Sequence, residues 1–284
     1  PITERLPMLA TLHFEDGDLQ VDFSSPTSIA IAMGFNDAPQ PRAFGLSKAS
    51  QSPFSTPTFT TEVRQGGAIN CMQLTIWPHG NGTHTETMGH LLENPPSIGL
   101  LTPQPQVAII LSVSPEKLSD TTDSYPEPAS PEDSIISLNL LRKAFDQREA
   151  TSPHRPTALI IRTLPNDAHH KQQRDYSNTN PTYLSNEAMH WIRHELHIEH
   201  LLLDLPSVDR ENDHGMLSNH RIYWDIPTHK TVAADDNTRT HCTITEMILV
   251  PDGLPDGLYI LALQFPALLT DATPSRPLLY PIVG

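Results

Sequence analysis

The stretch Val107-Ala108-Ile109-Ile110-Leu111-Ser112-Val113 is apolar at every position except Ser112. A run this short and this rich in β-branched residues predicts a strand covered on both faces of a sheet. Similar apolar or alternating runs lie on either side of it, at Leu19–Phe23, Ala68–Ile76, Ala158–Thr163, His200–Leu205, Ile244–Val250 and Leu258–Phe265. These runs predict further strands, so that a sheet extends through most of the chain.

Between the strands, the clearest helical pattern spans Ser185–His197. Ser185 suits the N-cap of a helix, because its hydroxyl can accept a hydrogen bond from the first turn. Met189, Ile192 and Leu196 then recur at helical spacing and predict one buried stripe.

A second helix is predicted to begin at Ser130-Pro131, where serine suits the cap and proline the first turn. It would continue through Leu138, Leu141 and Phe145. The preceding segment, residues 114–131, is rich in Ser, Pro, Asp and Glu and is expected to be an exposed polar loop. Strands alternating with helices predict a mixed α/β fold with flanking helices, in a single domain over residues 1–284.

The composition argues against several classes of partner. The 33 acidic and 18 basic side chains give a net charge of −15, which opposes binding to nucleic acid or to an anionic membrane surface. No stretch reaches the roughly 20 apolar residues that span a bilayer. Cys71 and Cys242 are too few to form a disulfide framework in a chain of this length, so we expect a cytoplasmic protein.

The segment between Trp77 and His90 contains the most informative polar residues. Gly80 and Gly82 permit a tight backbone path that can aim His84 and Glu86 at one point, since side chains two apart on a strand share a face. Imidazole and carboxylate together suit zinc, manganese or iron(II). The alternative is a pair of surface side chains in a glycine turn.

A second group of the same composition lies downstream. Asp204–Asp209 follows an apolar run, His220 comes next, and Glu246 stands inside the otherwise apolar Cys242–Leu249. A carboxylate in such a strand is costly to bury unless a cation compensates its charge. Glu246 is therefore a candidate metal ligand, although a carboxylate facing water from an edge strand would look the same in sequence.

Together these residues resemble the cyclase-like metal-dependent hydrolase family, which includes bacterial kynurenine formamidase and isatin hydrolase. The family pattern is His-x-Gly-Thr-His-x-Asp-x-Pro-x-His, followed by Asp-x-Pro-Ser-[Val/Ile]-Asp, a histidine and a glutamate in a strand. The counterparts here are Gly82–Glu86 with His90, then Asp204–Asp209, His220 and Glu246. The resemblance extends from about Leu19 to the closing segment at residues 271–277.

This resemblance implies a fold, a cofactor and an activity. The fold is a swivelling β/β/α sheet core, usually in a homodimer. The cofactor is a divalent metal, zinc or manganese, held by His84, Glu86, His220 and Glu246. The activity is hydrolysis of a small-molecule amide, lactam or similar acyl bond by a metal-activated water, with His90 as the general acid and base. Thr83 and Asp204 are expected to orient the ligands.

The chain departs from the family pattern at three positions of the first motif. The family's first histidine falls on Gly80, with His79 one place earlier; Glu86 replaces the aspartate and Met88 the proline. Either His79 supplies the missing nitrogen, or the site holds one metal where many relatives hold two, or it no longer binds metal tightly. We favour the first two together. Residues 228–241 form an insertion relative to the family, at a lid or a subunit contact.

A function from another class stays open at this point. The lost histidine, Met88 and the insertion would also suit a non-catalytic binding or scaffold protein that keeps the fold. Against it, all four remaining candidate ligands and His90 are present. Their presence favours the enzyme.

Overall fold

The computed structural model describes residues 8–93, 96–126, 128–149, 154–227 and 239–283. Within these ranges the strands are β1 (Leu9–Phe14), β2 (Gly17–Asp22), β3 (Thr27–Ser28), β4 (Ser50–Pro53), β5 (Ser55–Thr56), β6 (Phe59–Thr60), β7 (Met72–Thr75), β8 (His84–Thr87), β9 (Gln106–Val113), β10 (Glu116–Lys117), β11 (Ser134–Ile136), β12 (Ala158–Thr163), β13 (Tyr183–Leu184), β14 (His200–Leu203), β15 (Thr243–Glu246), β16 (Gly257–Ala262), β17 (Ala272–Pro274) and β18 (Leu278–Pro281). The α-helices in the same ranges are α1 (Leu138–Glu149), α2 (Ala168–Lys171), α3 (Asn186–His194) and α4 (Ser218–Trp224).

A curled nine-stranded sheet runs in the order β17-β8-β15-β14-β12-β9-β16-β18-β3. Strands β15, β14, β12 and β9 are parallel, whereas the strands on either side of this group pair antiparallel. Because β8 is antiparallel to β15, its first residue lies at the edge of the sheet where β15 ends. In sheets with parallel strands, ligands bind at the carboxyl edge, and the candidate site lies there.

Side chains alternate between the two faces of the central strands, as the period of two requires. On β9, Ile109 and Leu111 face a core shared with α1, α3 and α4, whereas Ala108 and Ile110 face a second core. The second core is filled largely from β16, β18 and the segment after β15, because the sheet curls over it. The predicted α/β fold, with its strand at residues 107–113, is confirmed.

The helices agree with prediction in one case and differ in the other. Ser185 caps α3 by accepting a hydrogen bond from Ala188 N, as its sequence position predicts. The start predicted for the second helix at Ser130-Pro131 is wrong. Buried Ile135 and Ile136 form strand β11 instead, and α1 begins only after Ser137, whose hydroxyl accepts from Leu140 N.

The loop predicted at residues 114–131 is exposed only in part. Its first part contains β10, which pairs with β11, and Tyr125 is buried against Tyr183. One aromatic residue in a polar segment thus anchors it to the body of the domain. Most of the insertion predicted at 228–241 lies outside the described residues; only 239–241 belong to them.

Two other predicted strands are shorter than expected. Of residues 68–76, only Met72–Thr75 form a strand, which pairs with β4 outside the nine-stranded sheet. The strand predicted over 244–250 ends at Glu246. In the part of the chain that the structure describes, each helix is too short or too polar to cross a bilayer.

Candidate metal centre

Strand β8 presents two candidate ligands on one face. His84 and Glu86 are both buried, and Thr85 between them points the other way, with its hydroxyl 2.8 Å from that of Thr245. Gly82 has φ +101°, a left-handed conformation that glycine adopts without steric cost. Its carbonyl accepts a hydrogen bond of 2.9 Å from His84 Nδ1. This bond fixes the ring and leaves Nε2 as the nitrogen that can bind a metal.

Glu246 reaches the same point from the neighbouring strand. The register of β15 on β8 places it directly opposite His84, and its Oε2 lies 3.3 Å from His84 Nε2. Its other oxygen accepts a hydrogen bond from Val208 N at 3.2 Å. The carboxylate is buried, as its position in an apolar strand predicts.

His220 enters from α4 and is held by Asp209. That carboxylate accepts hydrogen bonds from Asn219 N (2.7 Å), His220 N (3.2 Å) and His220 Nδ1 (2.5 Å). Tyr125 donates to the same carboxylate at 2.7 Å. The ring of His220 is therefore oriented with Nε2 toward the centre, 2.9 Å from Glu86 Oε1.

These four side chains fit a divalent cation. Ligand atoms of His84, Glu86 and Glu246 all lie within 4.8 Å of one another, and His220 Nε2 is 3.9 Å from Glu246 Oε1. Among the described residues, His84 Nε2 is one of the few buried polar atoms that make no hydrogen bond, although Glu246 Oε2 lies 3.3 Å from it. A buried donor set of two imidazoles and two carboxylates, with one nitrogen unsatisfied, matches the ligand chemistry of a divalent transition metal.

A second layer of side chains surrounds Glu86. His79 Nδ1 lies 3.0 Å from Glu86 Oε2, and His79 Nε2 lies 2.8 Å from Asp271 Oδ2. The same oxygen of Asp271 is 3.4 Å from His90 Nδ1. His79, Glu86 and His90 form a further group with metal-ligand spacing. The structure therefore brings together all six residues that the sequence predicted as metal ligands or as the general acid and base.

The charges at the centre influence one another strongly. Burial alone would raise the pKa of Glu86, but the charges of His90 and His220 hold it well below its ordinary value. Burial, followed by the charge of Glu86, raises the pKa of Glu246. Burial and the charge of Glu86 thus make ionisation of Glu246 less favourable, and a divalent cation would offset both effects.

The outer histidine and its carboxylate shift each other's pKa in opposite directions. Burial alone would lower the pKa of His79, but hydrogen bonds to Asp271 and Glu86 raise it to about 10. Hydrogen bonds from His79 and His90 hold the pKa of Asp271 far below its ordinary value.

A cavity of about 310 Å³ opens onto the centre. Besides His79, Glu86, His90, His220 and Glu246, it is lined by Phe44, Ser207, Arg210, Glu211, Asn212, Asp213, Gly215 and Leu217. The guanidinium of Arg210 is paired with Asp133 at 2.7 Å, so its charge is largely compensated. The cavity is large enough for a small molecule.

At Gly80, where the family pattern has a histidine, the structure leaves no room for a side chain. A Cβ added there would lie 2.6 Å from Leu46 Cδ1 and 3.3 Å from the carbonyl oxygen of Ala43. The space beside Gly80 is thus filled, and a side chain there would displace Leu46. His79, one residue earlier, lies at the centre instead.

Sequence reasoning missed two residues of the site and misjudged two others. Asp209 belongs to a recognised motif and Asp271 to the closing segment, but sequence alone gives neither of them a role. The hydroxyl of Thr83 hydrogen-bonds with the backbone of Met247 and Ile31 rather than with a candidate metal ligand. The carboxylate of Asp204 accepts hydrogen bonds from Thr163 and forms an ion pair with Lys171.

Solved structures share this fold over almost the whole chain. A predicted metal-dependent hydrolase from Bacillus stearothermophilus has a TM-score of 0.53 and 12% identity, covering 90% of this chain and 98% of that one. An isatin hydrolase bound to the product analogue thioisatinate has a TM-score of 0.57 and 15% identity, with coverages of 91% and 93%. Isatin hydrolase A from Ralstonia solanacearum has a TM-score of 0.55 and 12% identity, with coverages of 90% and 92%.

No curated protein matches the sequence. A family model described as "Putative cyclase" matches residues 18–210, which contain β8 with its flanking loop and Asp209. His220 and Glu246 lie beyond that match, but they complete the same centre in the fold. Since the matched residues make up well over half of the chain, the protein belongs to the cyclase family, as its sequence motifs predicted.

Proposed function

We propose that this protein is a metal-dependent hydrolase that cleaves an amide, lactam or similar acyl bond in a small molecule. The observation that carries the proposal is the convergence of His84, Glu86, His220 and Glu246 on one buried point at the base of a cavity. Solved relatives with this fold include isatin hydrolases and a protein described as a predicted metal-dependent hydrolase. Their names support the same reaction class here.

Zinc or manganese is the proposed cofactor, with His79 as a further candidate ligand. A divalent ion bound there would supply Lewis-acid polarisation of an acyl carbonyl and would make a water molecule more acidic. The chain's own residues prepare the centre. Asp209 and the carbonyl of Gly82 each hold one nitrogen of an imidazole, so that the other nitrogen faces inward.

His90 is the proposed general acid and base. It lines the cavity, and its ring centroid lies 5.7 Å from that of His220. Asp271 is within 3.4 Å of Nδ1, which leaves Nε2 available for proton transfer. An imidazole can take a proton from the attacking water and deliver it to the leaving nitrogen, because its ordinary pKa is near neutrality.

The substrate is proposed to be a small neutral molecule. The cavity also contains Glu211 and Asp213, and its cationic Arg210 is already paired with Asp133. An anionic substrate would therefore gain little attraction from the cavity walls. Both cysteines are free, which suits the reducing conditions of the cytoplasm, where we place the reaction.

The test is hydrolysis of a panel of N-formyl amides, lactams and cyclic imides by the purified protein. We expect turnover of at least one class, its loss after treatment with a chelator, and its return when zinc or manganese is added. A protein that stays inactive on the whole panel after metal addition would favour a non-catalytic binding protein instead.

A further inference from the structure

Asp271 lies next to the centre because of strand pairing. Ala272, the first residue of β17, is paired with Glu86, so Asp271 lies beside Thr87. Thr87 N donates to the carbonyl of Asp271 at 3.1 Å, which fixes the backbone that carries the carboxylate. The side chain is about one-third exposed, and its carboxylate contacts His79.

One oxygen of this carboxylate contacts two imidazoles. Oδ2 of Asp271 is 2.8 Å from His79 Nε2 and 3.4 Å from His90 Nδ1. The two rings lie almost over each other, with centroids 4.3 Å apart and planes 33° apart. A single acceptor thus sets the orientation of both rings.

In His79, as in the two inner histidines, an oxygen holds one ring nitrogen while the other nitrogen faces the centre. His84 and His220 each bind a fixed oxygen with Nδ1 and turn Nε2 inward. His79 does the reverse: it binds Asp271 with Nε2 and turns Nδ1 toward Glu86 Oε2, 3.0 Å away. Histidines that bind metals usually donate their other N–H to a carboxylate or a carbonyl, which fixes the ring.

We propose that Asp271 is a positioning residue that holds two rings with one carboxylate: His79 with Nδ1 toward the metal centre, and His90 with Nε2 free for proton transfer. This inference rests on the proposed function. Asp271 acts through these two histidines and contacts neither the substrate nor the metal.

The first test is a double-mutant cycle read out as zinc affinity, measured by competition with a chromophoric chelator. Asp271→Asn keeps the shape of the side chain but removes its charge, and we expect zinc affinity to fall about 10- to 100-fold, the usual effect of losing such a partner. In the His79→Ala background the same substitution should change the affinity less than about twofold, because the ring it positions is gone.

The second readout is turnover with the metal site saturated. Asp271→Asn should lower kcat about 10- to 100-fold and leave KM nearly unchanged, and it should add little to the loss in His90→Ala. Asp18→Asn is the matched control, since it removes an aspartate–histidine contact of 2.8 Å outside the site, with His13. Should Asp271→Asn fail to fold by circular dichroism, Asp271→Ser takes its place in the cycle.

Three results would overturn the inference. One is unchanged zinc affinity and kcat in Asp271→Asn. Another is an equal loss with and without His79, which would indicate a direct ligand or a general effect of charge. The third is the loss of one of two bound ions, which would make Asp271 a ligand of a second metal. Failure of the proposed function looks different, because the unsubstituted protein would then bind no zinc or would show no turnover with zinc bound.

Discussion

At the scale of single residues, His90 differs from the four inner candidate ligands. His84, Glu86, His220 and Glu246 are almost fully buried, whereas the side chain of His90 is about 30% exposed at the cavity. A side chain that exchanges protons with substrate must reach the cavity, while a ligand is better held in the interior. The two roles should therefore separate experimentally.

Replacing His90 by alanine should lower kcat by about 10²- to 10⁴-fold, the usual contribution of a general acid or base. Metal content should stay close to that of the unsubstituted protein, because the inner ligands are intact. Activity assays paired with elemental analysis check this, and His13→Ala, an exposed histidine outside the site, is the control. Equal metal loss in His90→Ala and His84→Ala would contradict the division of roles.

The same residues show how far sequence reasoning reaches at a site. His84 and Glu86 were predictable, because two residues on one strand face share a direction whatever the topology is. The roles of Asp209 and Asp271, which bind the histidine nitrogens that face away from the centre, were not predictable. They depend on where α4 and β17 lie in space. The reason for a glycine at position 80 is a steric contact that sequence does not reveal. A Cβ there would clash with Leu46, which lies 34 positions earlier in the chain.

At the scale of secondary-structure elements, β14 and β15 are joined by a buried pair at the edge opposite the metal centre. The register sets His200 beside Thr243, and His200 Nδ1 lies 2.9 Å from the threonine hydroxyl. Burial, followed by the charges of His241 and Arg239, lowers the pKa of His200 to about 4. The folded protein therefore holds this imidazole neutral.

The lowered pKa of His200 predicts that the stability of the folded protein depends on pH. Because the folded pKa lies below the ordinary value of 6.5, the contribution of neutral His200 is complete above pH 6.5 and is lost as the pH falls toward 4. The free energy of unfolding should decrease by up to about 3 kcal/mol over that range from this group. Urea unfolding of the unsubstituted protein and of His200→Asn at several pH values measures the difference. An identical pH slope in both proteins would count against the assignment.

Tertiary contacts also explain why α1 begins later than the start predicted at Ser130-Pro131. Ser130-Pro131 and Ser137 are both plausible helix starts, and local sequence does not choose between them. The choice is made by tertiary structure, since Ile135 and Ile136 pair with β13 and fill the core. The strands at 107–113 and 158–163 were predicted well, because a strand buried on both faces needs little context.

At the scale of the whole molecule, residues 50–75 form an arm outside the nine-stranded sheet. Its strands pair only among themselves in the described chain, as β4 with β7 and β5 with β6. Large apolar side chains on this arm are exposed, namely Phe54, Phe59, Val63, Ile69 and Leu74. Several large apolar side chains exposed on one segment are a feature of interaction surfaces.

We therefore propose that the arm contributes to the homodimer that the family resemblance implies. Light scattering at micromolar concentration should give about twice the 31.5 kDa mass of the chain. The double variant Phe54→Ser with Leu74→Ser should shift the population toward monomer, whereas Leu269→Ser, at an exposed position outside the arm, should not. A monomeric unsubstituted protein would contradict the proposal.

Metal content shows whether the four inner side chains hold a divalent ion. Elemental analysis of the purified protein, loaded with zinc or manganese and then desalted, should find at least one tightly bound ion per chain. His84→Ala and His220→Ala should each lose most of it while remaining folded by circular dichroism. A well-folded, unsubstituted protein that retains no metal, or variants that retain as much as the parent, would contradict the assignment of a metal centre to these side chains.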